Sequence, residues 1–230
     1  MTAPRFTLHG VGVGPGDPDL MTVRARRLIE GAGVVAYPHP EGRGSLARSI
    51  AAPFLPPDVE EIAIALPMRP ERAPAQAAYD RGAARLADAL GRGDVVVLCE
   101  GDPMLYGSFM YLAARLPAAR VEITPGVAAL AACAAAARHP LAARDEPLSL
   151  VPATLPEAEI ARLAGVGGVA VMKLGRHVAK VRRALAAAGL DAVYVERAST
   201  PGERVLPLAE APDPAPYFSM ALARRADPWL

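Results

Sequence analysis

The chain lacks the cysteines and the excess of charge that would identify several classes of protein. Only two cysteines, Cys99 and Cys133, occur among the 230 residues, and each lies in an apolar stretch. Their number and spacing exclude a disulfide scaffold and a cysteine metal centre, and they predict buried free thiols. Lysine is scarce, and the formal net charge is only +1. Because this balance creates no general attraction to nucleic acid, we expect no nucleic-acid partner.

The chain also lacks an apolar run long enough to span a membrane. Its alanine-rich stretch, residues 127–137, is too short and ends at Arg138-His139-Pro140. No signal peptide precedes the first predicted strand, so we expect a cytoplasmic protein that does not enter a membrane. The length accommodates one large domain or two small ones with an ample core.

Signals for metal or hydrolytic chemistry are missing as well. The histidines have no ligand spacing between any pair, so we expect no bound metal; they are His9, His39, His139 and His177. No serine stands in the context of a nucleophile elbow. Pairs of carboxylates fall in predicted surface segments. The residues by themselves therefore identify no catalytic side chain.

A glycine-rich turn near the start, LHGVGVGPGDPDLMTV at residues 8–23, lacks the features of a phosphate site. Both alignments of its glycines with G-x-G-x-x-G place Pro15 or Asp17 where the third glycine is required, and no lysine suits a P-loop. Pro18 removes one N–H group, and the charges of Asp17 and Asp19 oppose an anion. Asp17 instead suits a helix N-cap and Pro18 the first helical position. Taken alone, the segment predicts a structural turn between a strand and a helix.

A second segment, DVVVLCEGDPMLYGS at residues 94–108, repeats this turn chemistry. Its apolar run also ends in Gly-Asp-Pro, at Gly101 to Pro103. Two such turns at the carboxyl ends of two strands predict a single crevice, because ligands of open α/β sheets bind at that edge.

Strands and helices alternate through the first half, which predicts an α/β unit. We expect strands near 6–13, 33–37, 59–64, 94–99 and 120–124, and helices near 19–31, 45–52, 74–91 and 104–115. In the second half we expect helices near 127–137, 156–164 and 176–188, and strands near 148–152, 168–174 and 191–197. After residue 202, RVLPLAE and YFSMALAR predict two strands joined by a proline-rich loop, which favours antiparallel pairing. The domains are accordingly predicted as 1–122 and 123–230, the second with a mixed sheet.

Three turns rich in exposed backbone are the notable candidates for binding: Gly14-Pro15-Gly16, Glu100-Gly101-Asp102 and Pro125-Gly126-Val127. Such turns offer carbonyl and N–H groups without bulky side chains. They suit a ligand that is partly apolar and carries a cation. S-adenosylmethionine has an adenine, a sulfonium and an amino-acid tail but no phosphate, so nearby carboxylates do not oppose its binding.

Six segments, in this order, resemble motifs of the tetrapyrrole (class III) S-adenosylmethionine-dependent methyltransferases: GVGPGDPDLMTVRA, CEGDPMLYGS, ITPGVAAL, VAVMKLGRH, VERAS and PYFSMAL. The resemblance covers nearly the whole chain. It implies two α/β domains with a cofactor cleft between them, a homodimer, and S-adenosylmethionine as the methyl donor for a tetrapyrrole.

The resemblance also implies particular contacts to the cofactor. The implied residues are Pro15, Glu100, Gly101, Asp102, Leu105, Ala128, Ala129, Met172 and Ala198. Relatives often carry hydroxyl side chains at the places of Ala128 and Ala129, so only backbone contacts carry over there. Met172 has the local pattern of a core residue as well.

The substrate of such an enzyme carries many carboxylates, so loop arginines are candidates for its recognition. Arg43 in EGRGS and Arg144 in AARDE are predicted contacts, with a plain surface role as the alternative for each. A pair with the neighbouring Asp145 would instead give Arg144 a structural role. Glu100 and Asp102 are the acidic groups nearest the implied site, and cofactor binding alone is the simpler role for them. Another tetrapyrrole, a different substrate and a non-catalytic nucleotide-binding module remain open alternatives for the function.

Overall fold

The computed structural model describes residues 5–69 and 71–225. Contacts between residues divide the chain into two compact units, Met1–Ala128 and Ala129–Leu230. This boundary lies later than the one expected from the sequence, because the strand ending at Thr124 pairs within the first unit, where Thr124 lies opposite Val11.

The first unit contains one sheet of five parallel strands. The strands are β1 (Thr7–Gly12), β2 (Val34–Pro40), β3 (Glu60–Leu66), β4 (Val95–Cys99) and β5 (Arg120–Thr124), in the order β3-β2-β4-β1-β5. The helices are α1 (Val23–Glu30), α2 (Leu46–Ala51), α3 (Arg72–Leu90) and α4 (Phe109–Ala113). Short 3₁₀ turns cover Pro18–Leu20 and Ala52–Phe54. A continuous apolar run such as Val95-Val96-Val97 suits β4 because both faces of a parallel sheet are covered.

Two apolar clusters cover the two faces of this sheet. Leu8, Val97 and Phe109 belong to one cluster, and Val11, Ile29 and Leu98 belong to the other. Successive residues of each strand point to opposite faces, so β1 contributes side chains to both clusters. Together these clusters hold the strands in register, and with them the turns at the carboxyl edge.

The second unit contains a mixed sheet of five strands. They are β6 (Leu148–Pro152), β7 (Gly168–Met172), β8 (Ala192–Glu196), β9 (Arg204–Pro207) and β10 (Ser219–Ala223), in the order β6-β7-β10-β8-β9. β6 and β7 are parallel, and every other pairing is antiparallel. The helices are α5 (Ala129–Ala137), α6 (Glu157–Ala164) and α7 (Val178–Ala187), and 3₁₀ turns cover Gly175–His177 and Leu208–Glu210.

The structure corrects two details of the predicted elements. The last two strands, β9 and β10, do not pair with each other, because each forms an antiparallel ladder with β8. The helix predicted over 104–115 extends only over Phe109–Ala113. Tyr106 adopts a left-handed backbone conformation with φ of 57°, which a right-handed helix excludes. Residues 103–108 are consequently left as an irregular segment at the edge of the sheet.

Both cysteines are buried free thiols, as the sequence predicts. Burial raises the pKa of Cys99 and of Cys133 to about 12. Neither thiol is therefore a reactive thiolate near neutral pH. Over the part of the chain that is described, no helix is long and apolar enough to cross a membrane.

Candidate functional site

The carboxyl ends of three adjacent strands bring three turns together in the first unit. β1 lies between β4 and β5, and all three run in the same direction. Gly12 lies opposite Cys99, and Val11 lies opposite Thr124. The turns that follow these strands are therefore neighbours, and we call this region the strand-end site.

Direct hydrogen bonds join the first two turns. The N–H of Val13 donates to the carbonyl of Cys99 at 2.9 Å. Gly14 and Gly101 form an isolated antiparallel bridge, with N···O distances of 2.7 and 3.4 Å. Both glycines have positive φ, 83° and 61°, a conformation that side chains disfavour. This geometry confirms the prediction that the two Gly-Asp-Pro turns lie at one edge.

The third turn lies directly against the other two, because the residues in contact are glycines and have no side chains. A Cβ atom on Gly126 would lie 2.1 Å from the carbonyl oxygen of Gly101 and 2.9 Å from Cα of Gly12. A Cβ atom on Gly12 would lie 2.6 Å from the same oxygen. The three backbones thus touch at a point that admits no β-carbon. Gly12 was not among the predicted site residues, although a glycine in a buried strand just before a turn is a signal for such a close approach.

Asp102 joins the second turn to the third. One carboxylate oxygen accepts the N–H of Met104 at 2.8 Å, and the other accepts the N–H of Gly126 at 3.1 Å. Both oxygens of this half-buried carboxylate therefore hold backbone groups in place. That arrangement gives Asp102 a structural role in addition to the cofactor contact implied by the motif.

The first turn carries Pro15, which is half-buried and directly follows Gly14. The side chain of Asp17 accepts the N–H of Asp19 at 2.9 Å and caps the 3₁₀ turn that begins at Pro18. The predicted N-cap and N1 roles of these two residues are confirmed. Because a carboxylate already occupies this helical terminus, it does not offer a phosphate site.

Glu100 lies at the end of β4 and keeps an exposed surface, yet protein atoms surround its carboxyl group. Partial burial raises the pKa of Glu100, and a hydrogen bond from the backbone N–H of Ala47 opposes that rise. The exposed surface limits this desolvation. Ala47 belongs to α2, so the carboxyl lies beside that helix.

Apolar side chains project from the irregular segment after Asp102. Met104, Leu105 and Tyr106 are 52%, 41% and 47% exposed. The shortened α4 leaves them outside a helix, and they adjoin the polar groups of the turn. The strand-end site therefore combines backbone donors and acceptors, carboxylates and apolar contact surface.

In the second unit, Met172 ends β7 and Ala198 follows β8. Ala198 is buried in an apolar cluster with Cys133 and Met220, and the half-buried Met172 packs against that cluster. The core interpretation of Met172 is thus partly correct, because the side chain keeps some exposed surface. Lys173, Arg197 and Ser199, which flank these two residues, all have positive φ, at 58°, 50° and 59°. Such conformations are uncommon outside glycine and concentrate at functional sites.

The remaining predicted residues occupy helix and loop positions. Ala128 is the last residue of the first unit, and the exposed Ala129 begins α5. Arg43 lies in the loop after β2, where the preceding Gly42 has a φ of 74°. Arg144 is exposed and has a φ of 50°.

The alternative partner of Arg144, Asp145, does not hold it in place. Within residues 5–69 and 71–225, no ion pair joins Arg144 to Asp145. The neighbouring Glu146 is the structural carboxylate of this loop, since it pairs with Arg224 at 2.6 Å and accepts the N–H of Ala143. The loop is therefore fixed by Glu146, and Arg144 projects from it. The described residues also contain no group of three or more His, Cys, Asp or Glu side chains that could hold a metal ion.

Several characterised proteins are similar to this chain over most of its length. The Cobalamin biosynthesis protein CobIJ of Mycobacterium tuberculosis is 45% identical over 95% of the chain, which spans only 46% of that protein. The chain thus covers about half the length of this relative. Precorrin-2 C(20)-methyltransferase of a Sinorhizobium species is 43% identical, with 94% of each chain covered. Cobalt-precorrin-2 C(20)-methyltransferase of Salmonella typhimurium is 35% identical, with 95% and 96% covered.

Solved structures share the fold just described. A cobalt precorrin-4 methyltransferase, a cobalamin biosynthetic enzyme, has a TM-score of 0.73 and 26% identity, with 95% of this chain and 94% of that chain covered. The uroporphyrin-III C-methyltransferase of Thermus thermophilus, solved with S-adenosylhomocysteine, has a TM-score of 0.70 and 26% identity, with 95% and 97% covered. The sequence model of the Tetrapyrrole (Corrin/Porphyrin) Methylases matches residues 7–212. The parallel first sheet with its three touching turns, the mixed second sheet and this match together show that the chain belongs to the tetrapyrrole methylase family.

Proposed function

We propose that this protein transfers a methyl group from S-adenosylmethionine to C20 of precorrin-2, forming precorrin-3A in cobalamin biosynthesis. The observation that carries the proposal is the similarity to the Sinorhizobium precorrin-2 C(20)-methyltransferase, 43% identical with 94% of each chain covered. The motifs EGDPMLYGSFMYL and MKLGRH, which resemble that branch of the family, support the same assignment.

The donor groups of the strand-end site fit S-adenosylmethionine better than they fit a nucleotide. Asp17, Glu100 and Asp102 place negative charge at this edge, which favours a sulfonium and an ammonium over a phosphate. The proposed cofactor contacts are Pro15, Glu100, Gly101, Asp102, Leu105 and Ala128 in the first unit, and Ala129, Met172 and Ala198 in the second.

When bound, S-adenosylmethionine supplies a methyl group on a good leaving group, which an electron-rich carbon accepts directly. No protein nucleophile is needed, and the chain's contribution is to hold the reactants in line. Positioning of this kind supplies roughly 7–11 kcal/mol of a barrier. The hydrogen bonds between Gly14 and Gly101, and those accepted by Asp102, make the backbone of the site rigid enough for that role.

Arg43 and Arg144 are proposed contacts for the substrate's carboxylates. Both are exposed loop arginines, and no carboxylate in the described part of the chain lies within 4 Å of either guanidinium. Their donors are therefore available for bidentate bonds to an anionic ligand. The absence of an Arg144–Asp145 pair favours this role over the structural one.

We propose a cytoplasmic homodimer as the working form. Exposed apolar side chains on the edge strand β5 support a contact with a second copy: Val121 and Ile123 are 39% and 38% exposed. Both side chains point to the same face of the sheet, and their partners in the neighbouring strand β1 are Leu8 and Gly10. Sedimentation of Ile123→Lys tests this contact, with Val166→Lys, at an equally apolar but separate exposed position, as the control.

The similarity to the Salmonella cobalt-precorrin-2 C(20)-methyltransferase supports one alternative substrate, the cobalt-containing equivalent. Incubation with labelled S-adenosylmethionine and either metal-free or cobalt-loaded substrate, followed by mapping of the methyl group, distinguishes the two. Label at C20 of precorrin-2 is the expected result. Label at another carbon, or on the cobalt form alone, would contradict the proposal. Calorimetry with S-adenosylhomocysteine, NAD and ATP tests the nucleotide-binding alternative, and only the first is expected to bind.

A further inference from the structure

The carboxyl end of β2 lies beside the strand-end site. β2 pairs with the parallel strand β4 from Val34 to Ala36, and Ala36 lies opposite Val97. His39 and Glu100 each stand three residues beyond that last pair, so they are level with each other at the same edge of the sheet. Neighbouring strands are about 4.8 Å apart. His39 is therefore one strand away from Glu100, a proposed cofactor contact.

His39 and Glu100 also lie on the same face of the sheet. Successive residues of a strand point to opposite faces, so His39 points to the side of Val35 and Tyr37. Those two side chains pack in the apolar cluster that contains Ala47 of α2. Glu100 accepts the N–H of Ala47, so its carboxyl group lies at this face as well. The loop between β2 and α2 consequently adjoins the strand-end site.

Two backbone carbonyls determine which nitrogen of His39 carries the hydrogen. Nδ1 lies 3.0 Å from the carbonyl oxygen of Pro40 and 3.0 Å from that of Arg43. Carbonyl oxygens only accept hydrogen bonds, so Nδ1 must carry the hydrogen and donate it. The neutral ring therefore has its lone pair on Nε2, which forms no hydrogen bond within the described part of the chain. Because His39 is only half-buried, this nitrogen is open to a ligand.

A tight turn holds the imidazole ring in this position. Gly42 has a φ of 74°, and the N–H of Arg43 donates to the carbonyl of Pro40 at 3.1 Å. The hydroxyl of Ser45 donates to the carbonyl of Pro38 at 2.9 Å, which closes the loop between β2 and α2. The same turn carries the side chain of Arg43, a proposed contact for a substrate carboxylate. The imidazole and a substrate contact are thus presented by one short, hydrogen-bonded segment.

Other groups near this edge that exchange protons are already engaged. Both oxygens of Asp102 accept backbone N–H groups. Glu61 accepts two hydrogen bonds from the guanidinium of Arg48, at 2.8 and 3.1 Å. Burial, followed by a hydrogen bond with Glu61, raises the pKa of Tyr37, so this hydroxyl stays protonated near neutral pH. Nε2 of His39 has no such partner and is free to accept a proton.

We propose that His39 is a catalytic residue, whose Nε2 takes the proton that leaves C20 of the tetrapyrrole after methyl transfer. This inference rests on the proposed function, because it requires a meso carbon that gains a methyl group and then loses its hydrogen. The position of His39 one strand from Glu100, and in one turn with Arg43, places its ring between the proposed cofactor and substrate contacts.

The proposed reaction has two bond-breaking steps. A carbon–carbon bond forms between C20 and the methyl group while the carbon–sulfur bond breaks, and the sulfur keeps the electron pair as a thioether. The C20–H bond then breaks: its proton goes to Nε2 of His39, and its electron pair restores the conjugation of the macrocycle. The imidazolium afterwards gives the proton to water.

Turnover of precorrin-2 with labelled S-adenosylmethionine tests this role in His39→Asn. Asparagine keeps an N–H donor for the carbonyls of Pro40 and Arg43 but has no counterpart of the Nε2 lone pair. We expect turnover to fall about a hundredfold or more, because general base catalysis contributes roughly 10²–10⁴-fold. Melting temperature and S-adenosylhomocysteine affinity should stay unchanged. His139→Asn is the matched control with unaltered turnover, because His139 is also half-buried but lies in the second unit, outside the proposed contacts.

Two further measurements separate proton removal from a structural role. In a single turnover, label should enter the macrocycle as fast in His39→Asn as in the unaltered protein. The absorbance of the conjugated product should lag behind the label, since the C20 proton leaves slowly. Imidazole added to His39→Ala should restore part of the turnover, because it supplies the missing base.

The outcomes distinguish this inference from the proposed function. If His39→Asn turns over precorrin-2 as His139→Asn does, the inference is wrong while the proposed function stands. If label transfer slows together with the absorbance change, if S-adenosylhomocysteine affinity falls, or if imidazole leaves His39→Ala inactive, His39 only holds the turn and the inference is likewise wrong. If the unaltered protein transfers no methyl group to precorrin-2, the proposed function fails and the inference falls with it.

Discussion

The contact of three glycines at the strand-end site predicts a severe effect of one added methyl group, in Gly126→Ala. The new Cβ would lie 2.1 Å from the carbonyl oxygen of Gly101 and 2.9 Å from Cα and the carbonyl carbon of Gly12. Ordinary van der Waals contact begins near 3.4 Å, so the backbones must separate by about 1.3 Å. No flexible side chain is present to absorb this movement, because every contacting atom is backbone.

The displacement also disturbs hydrogen bonds that depend on the position of Gly126. Its N–H donates to Asp102 at 3.1 Å, and the carbonyl of Gly101 accepts from Gly14. Insertion of extra atoms into a packed region costs about 1–3 kcal/mol, and we expect the upper end here because backbone must move. For a chain of this size a loss of 3 kcal/mol lowers the melting temperature by roughly 6–12 °C. S-adenosylhomocysteine affinity should fall in the same variant, since the turns that are proposed to hold it are displaced.

Gly33→Ala provides the control. Gly33 also lies in the first unit, and a Cβ atom there would have no other atom within 4 Å. We expect its melting temperature and ligand affinity to match those of the unaltered protein, measured by differential scanning calorimetry and isothermal titration. If Gly126→Ala behaves like Gly33→Ala in both measurements, the three-turn contact does not shape the ligand site and the reasoning is refuted.

Four other predictions follow from single contacts. Asp102→Asn removes the acceptor of one backbone N–H and should cost about 1–3 kcal/mol of stability together with cofactor affinity; loss of affinity at unchanged stability would mean that the carboxylate acts on the ligand alone. Met172→Ala should weaken S-adenosylhomocysteine binding while costing less than the 2–5 kcal/mol of a fully buried truncation, and the reverse result in a paired melt and titration would make Met172 a core residue only. Arg48 lowers the pKa of Glu61, so this pair stabilises the fold above the ordinary carboxylate pKa of about 4.3 and ceases to do so as the pH falls through the lowered pKa; the difference in melting temperature between the protein and Arg48→Ala should therefore shrink as the pH falls through that lowered pKa, and a constant difference would contradict the linkage. Cys99, with its pKa raised to about 12, should resist iodoacetamide at pH 8 in the folded protein and react after denaturation, whereas rapid labelling of the folded state would contradict its burial.

Short sequence patterns predicted most of the strands and helices, because the residues that signal each of them lie next to one another in the chain. The run Val95-Val96-Val97 and the cap at Asp17-Pro18 identify β4 and the 3₁₀ turn from neighbouring residues alone. The irregular segment before α4 was missed because Met104 and Leu105 favour a helix, although Gly107, where a Cβ atom would lie 2.4 Å from the carbonyl oxygen of Pro103, is a signal against one. The left-handed conformation of Tyr106 replaces the first turns of that helix, and no pattern in the sequence signals it.

The candidate site was predictable in part for the same reason. Two Gly-Asp-Pro turns after apolar runs were sufficient to place Gly14 and Gly101 at one edge, since parallel strands end together. The touching of Gly12, Gly101 and Gly126 was not predictable, because it depends on β1 lying between β4 and β5. Strand order is a property of the whole sheet.

The amino-acid sequence by itself determined the alternation of strands and helices, the turn chemistry at the strand ends and the resemblance to a methylase family. These properties depend on residue type and spacing within a few residues. Only the tertiary structure decided that both oxygens of Asp102 hold backbone N–H groups, and that Tyr217 and Phe218 stand between Lys173 and Arg197. Those groups come from segments far apart in the chain. The placement of β10 between β7 and β8, antiparallel to both, brings Tyr217 and Phe218 between Lys173 and Arg197. Long-range pairing of strands depends on the total burial of the sheet's faces, so no local pattern encodes it.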